Sequence, residues 1–193
     1  MVSTAILFAF IGTALGAFML AHLSGIPTNL GLGFFPSHPY LQIYGFIAEF
    51  VIGVAYSLLP RFKTSQIPRL TFGYATYTLI TCANILFLFS PAFPRYDSIL
   101  GSFASLLILA GSIVFAGHVF SLAFGSVGAF PETNLLMALS SVSLILISLV
   151  LFLEKQGVVK TDEIFSPQMI FLSLVGFAGS MIYVVEIRSV SFR

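Results

Sequence analysis

Charge is scarce in this chain of 193 residues: Asp, Glu, Lys and Arg make up 8% of it, against about 25% in an ordinary soluble domain. So few charged groups cannot coat a folded chain that is 58% hydrophobic with a mean hydropathy of +1.06. The bilayer must be part of its solvent. A net charge of +1 without a basic block excludes nucleic acid as a partner. A single cysteine, Cys82 in LITCANI, excludes an intrachain disulfide and a C-x-x-C metal site, and reads as a small core residue. Tryptophan is absent, so tyrosine must supply any aromatic belt, with Tyr40, Tyr44, Tyr96 and Tyr183 placed near the interfaces. No phosphate loop, G-x-S-x-G or H-E-x-x-H occurs, which argues against an autonomous hydrolase or kinase.

What the chain has is long apolar runs. A spanning helix needs roughly 20 mainly apolar residues, and such runs lie at about 3–23, 39–60, 68–90, 99–125, 134–153 and 167–189. Each is continuously apolar, whereas a membrane strand would alternate over about ten residues. The expected fold is therefore an all-α integral membrane protein, a single transmembrane domain over 1–193 built as a bundle of about six helices. The first run lacks a basic leader, and at about 20 residues it is too long for a signal-peptide core, so it reads as the first span.

With six spans both termini share one side. That side carries Arg61, Lys63, Arg69, Arg188 and Arg193, against Arg95, Lys155 and Lys160 on the other, where Asp97, Glu154, Asp162 and Glu163 accompany them. The positive-inside rule then places the termini in the cytoplasm of a multi-pass protein of the cell membrane. Gly12 and Gly16 form a G-x-x-x-G on the first helix, while Gly176, Gly179 and Ser180 set small residues on the last. Both suit close helix contact within one chain, the first in preference to a dimer seam.

The informative segment is SHPYLQIYGFIAEFVIGVAYSLLPRFK, from Ser37 to Lys63. At the helical repeat His38, Gln42, Gly45, Glu49, Gly53 and Tyr56 fall within about 80° of arc. This stripe is expected to face the bundle interior, leaving the apolar remainder to lipid or neighbours. Histidine and glutamate inside a membrane segment make function the default reading. Two glycines would let a flat group approach the backbone, and a histidine at the helix end suits iron. The plain alternative is an interfacial His38, a hydrogen-bonded Glu49 and glycines that only permit packing.

The run from His38 through Gly53 to Pro60 resembles the second helix of subunit I in the haem-copper oxidase and nitric oxide reductase superfamily, and the related segment of NnrS-type membrane proteins. The likeness rests on H-x-x-L-Q-x-x-G-F at the start and G-V-A-Y-S-L-L-P-R-F at the close, about 25 of 193 residues. It implies that His38 is an axial ligand of a haem b near the outer face. Where some relatives carry H-x-H, this chain has His38-Pro39-Tyr40, and it has about half their spans. Its three histidines, His22, His38 and His118, exclude a complete oxygen- or nitric-oxide-reducing centre but leave room for one six-coordinate haem.

For the second ligand His22 ends the first helix at the depth where His38 begins the second. His118 lies about 27 Å along the fourth helix from Leu100, toward the opposite side, and competes only if that helix is broken or shifted. Met19, one turn before His22, is a further axial candidate. Glu49 reads as a proton site, a quinone contact or a structural acid, and with no Lys or Arg in the spans to pair with it, as protonated or water-linked. Three functions follow in order. The first is a haem b-binding membrane subunit carrying electrons within a respiratory or nitric-oxide-related complex, partnered by other membrane subunits or its own copies, with quinone as a further partner. A haem-free structural or assembly subunit comes second. A small transporter comes last, for want of paired broken helices.

Overall fold

The computed structural model describes residues 1–27, 34–35, 37–59, 70–124, 131–160 and 167–190. Arg61, Lys63, Arg69, Asp162, Glu163, Arg193 and the side chain of Arg188, on which much of the orientation reading rests, lie outside the described residues.

Six helices are long and apolar enough to cross a membrane, and among the described residues there is no strand. They are α1 (Val2–Leu23), α2 (Ser37–Leu58), α3 (Leu70–Phe89), α4 (Asp97–Phe124), α5 (Pro131–Lys155) and α6 (residues 167–190). The protein is an all-α, multi-pass bundle, and each helix falls on one of the six apolar runs. Two ends show why the helices stop where they do. Gly25 at φ +80 and Gly157 at φ +73 adopt the left-handed conformation just past α1 and α5. Ile26 and Gly25 donate back to Ala21 and His22, and Val158 and Gly157 to Leu153 and Glu154. Both are Schellman closures that satisfy the last carbonyls of a helix.

Two helices are not uniformly α. The middle of α2, Leu41–Ala48, and of α6, Leu172–Gly179, wind as π-helix, and these two segments touch each other. π turns are uncommon and cluster at functional positions.

Contacts run in sequence from α2 to α3, α4, α5 and α6, and close from α6 back onto α2. The large core lies inside this ring, with Tyr44, Ile52, Ile80, Phe115, Leu144 and Phe177 among its members. Helix α1 packs on the outside of α2 and shares with it a small separate cluster of Phe8, Leu15 and Leu41. Lipid tails are as apolar as leucine, so this arrangement rests on close packing and interhelical hydrogen bonds. Ser112 and Ser148 meet at 2.7 Å between α4 and α5, and Ser140 donates to the Phe177 carbonyl at 2.8 Å between α5 and α6. Two expectations change here. Cys82 is exposed on the outside of α3. Tyr96 and Tyr183 are exposed as an interfacial belt requires, but Tyr40 and Tyr44 are buried, Tyr44 donating to the Ile147 carbonyl inside the bundle.

Candidate functional site

The polar stripe of α2 meets α1 along most of its length. His38 lies over Gly16, where a Cβ would stand 2.6 Å from the ring. Its Nδ1 is 2.6 Å from the Gly12 carbonyl oxygen, which can only accept, so Nδ1 carries the proton. The lone pair of the neutral ring is thereby fixed on Nε2. One turn on, Gln42 covers Gly12 and donates to Thr13 Oγ1 at 3.1 Å. Phe8 fills the space beside Gly45, and Met1 and Val2 that beside Gly53.

The stripe therefore faces α1 at the periphery. The inward face of α2 is instead apolar and aromatic, carrying Tyr44, Ala48, Ile52 and Ala55. The G-x-x-x-G of α1 is the other half of this seam, so its glycines serve an intramolecular contact. Tyr56, the stripe position beyond Gly53, turns instead toward α3 and α4. Its ring stacks on His118 at 4.9 Å and its hydroxyl meets Thr76 at 3.1 Å.

Glu49 is fully buried between α1 and α3. Thr4 Oγ1 lies 2.8 Å from Oε2, while Thr81 Oγ1 and Asn84 Nδ2 approach Oε1 at 2.9 and 3.2 Å. The stripe did not name these partners. The signal available was Thr81 and Asn84 three residues apart on one face of an apolar helix, and Thr4 in the first turn of another.

The three histidines occupy three settings. His38 is half-buried and opens onto a groove of about 600 Å³ that Thr13, Met19, Leu20 and Gln42 also line. His22 is exposed at the same end of the bundle, its ring 5.6 Å from that of Phe35, and does not line the groove. His118 is buried in the unbroken α4 with Tyr56 and Phe72 against its ring. Since Tyr56 is 18 residues beyond His38 on α2, His118 and His38 are roughly 25 Å apart along the helix axis. One iron cannot take both. Among the described residues no three His, Cys, Asp or Glu side chains gather as a metal cluster.

A second polar feature closes the end of the bundle where α2 begins. Tyr40 and Phe87 stack at 4.9 Å, and Lys155 Nζ sits 4.7 Å above the Tyr40 ring and 3.2 Å from Glu154 Oε2. They border a cavity of about 250 Å³ with Ser37, Asp97 and Ser98. In the sequence Lys155 is only a flanking charge, and sequence spacing holds no signal that joins α2, α3 and α5 here.

No family model, curated protein or solved structure matches this chain.

Proposed function

We propose that the protein is a haem b-binding membrane subunit that carries electrons within a respiratory or nitric-oxide-related complex of the cell membrane. The observation that carries the reading is the state of His38. A histidine that ligates metal characteristically gives its other ring N–H to a carbonyl or carboxylate, which fixes the tautomer and raises ligand basicity. His38 makes that bond to Gly12 and lines a groove within the roughly 300–1,000 Å³ usual for cofactor sites. These residues fit the group: His38 would hold the iron, while Gly16, Leu20 and Gln42 would border the ring. When bound, haem supplies reversible one-electron chemistry at iron. The chain's own part is to orient the ligand and wall one side of the site with α1. Met19 lines the groove and His22 flanks it, which makes these two the partner ligands to compare. Other membrane subunits would deliver and take the electrons, with quinone as a further partner.

Reduced-minus-oxidised spectra of the purified protein test this. A b-type difference spectrum that His38→Ala abolishes is expected, with Met19→Leu or His22→Ala altering the band shape according to which is the partner. A colourless protein, or a spectrum indifferent to His38, overturns it.

One observation favours the haem-free scaffold as the second reading. Phe8 and Val2 already occupy the space beside Gly45 and Gly53, so helix packing alone accounts for that half of the stripe. A protein that purifies colourless with partner subunits supports it.

A further inference from the structure

We propose that Glu49 is a proton-binding site, held in the bundle as a neutral carboxylic acid whose Oε2–H donates to Thr4 Oγ1 and exchanges through that hydroxyl. The proposal does not depend on haem.

It follows from counting protons against short contacts. Thr4 Oγ1 stands 2.8 Å from Glu49 Oε2 and 2.7 Å from the Met1 carbonyl oxygen. Both are the length of an O–H···O hydrogen bond, a separation that is favourable with a hydrogen between the oxygens. A threonine hydroxyl has one, and a carbonyl has none. Protonation of Glu49 supplies the second. With the carboxyl protonated on Oε2 every position is filled: Oε2–H donates to Thr4, Thr4 donates to Met1, and Oε1 accepts from Thr81 and Asn84 as a carbonyl oxygen with two lone pairs can. With the carboxyl ionised, two acceptors face one hydroxyl proton, and one oxygen pair is left in repulsive contact.

Burial acts in the same direction: Glu49 is fully buried, and a carboxylate away from water is disfavoured. The elements packed against it offer hydroxyls and an amide. Among the described residues the Met1 amino group is the charged group that acts on it, and it works against burial by favouring the ionised form. On the far side Asn84 Oδ1 is buried with no hydrogen-bond partner among the described residues, an open acceptor next to the acid.

The same contacts trace the way in. Thr4 is half-buried and Met1 partly exposed at the start of α1. A proton thus passes from water at that end to Glu49 through a single hydroxyl, while the rest of the acid is walled by α2 and α3.

Infrared spectroscopy of the full chain in lipid nanodiscs tests this. At neutral pH a carboxylic-acid C=O band is expected that Glu49→Gln removes and deuterium oxide shifts. Glu49→Gln should keep the wild-type melting temperature, because its amide donates where Oε2–H did. Thr4→Val should retain the band, move it to the position of an acid without an acceptor, and slow its deuteration severalfold. A wild-type spectrum with no such band overturns the proposal, as does a Thr4→Val variant whose band and exchange are unchanged. If Glu49→Gln does not fold, the Thr4→Val band decides by the same criteria.

Discussion

A Cβ on Gly16 would stand 2.6 Å from His38 Cε1, and one on Gly12 would stand 3.0 Å from Gln42 Nε2. The two clashes differ in kind. His38 is a flat ring held by its bond to the Gly12 carbonyl, whereas Gln42 ends in a flexible amide that can swing aside. Alanine regains about 1 kcal/mol of helix propensity at either position, while overpacking a fixed contact costs about 1–3 kcal/mol. Gly16→Ala is therefore expected to lower stability by up to about 2 kcal/mol. Gly12→Ala is expected to be neutral or slightly stabilising, and thermal melting in detergent compares them. Equal losses would show that His38 is not seated on Gly16. At this scale the sequence named His38, Gln42 and Glu49 but not what each touches. Thr4 and Glu49 are 45 residues apart in the chain, and no periodicity links positions on different helices.

Among the elements, α2 departs most from its sequence reading. Five of the six stripe residues share a face that the helix turns to α1, and Tyr56 leaves that face for α3 and α4. Met1 and Val2 lie beside Gly53, while Tyr56 lies against Thr76 and His118. The helix–helix contacts elsewhere depend on small polar groups. Ser112 and Ser148 lie 2.7 Å from each other and 2.8 Å from the carbonyls of Ile108 and Leu144 in the preceding turns, so one serine donates to the other while its partner donates to a carbonyl. Interhelical hydrogen bonds in membranes contribute about 0.6 kcal/mol on average and at most about 1.7. A double-mutant cycle of Ser112→Ala and Ser148→Ala should accordingly give a coupling of about 0.6 kcal/mol. A coupling of zero would mean that the two hydroxyls only pack.

For the whole molecule the placement of α1 decides what lipid sees. Only 22% of the α1 span is buried, against 50% for α2 and 44% for α4 and α5, so α1 is a peripheral helix with most of its circumference outward. Phe10, near its middle, is 72% exposed. A lysine at the centre of a spanning helix costs about 2.5–3.5 kcal/mol of insertion. Phe10→Lys is expected to reduce membrane insertion measurably in a glycosylation-reporter assay, whereas Phe10→Leu is expected to leave it unchanged. Insertion unaffected by the lysine would show that this face of α1 meets protein or water.

Composition and run length determined the class, the number of spans and their positions to within a few residues, because crossing hydrocarbon requires apolar length and closed backbone hydrogen bonding whatever the neighbours. The left-handed caps at Gly25 and Gly157, which the sequence reading did not single out, are local features too, since each needs only its own turn. The sequence reading did place His118 far from His38, but the tertiary structure alone decided which way the stripe of α2 faces, that Glu49 lies between α1 and α3, that Tyr56 and Phe72 stack on His118, and that Lys155 rests on Tyr40. Each of these is a contact between helices distant in sequence. Apolar patterning is nearly silent about them, because in a bilayer every face of a spanning helix is apolar and close packing, not hydrophobicity, chooses the neighbours.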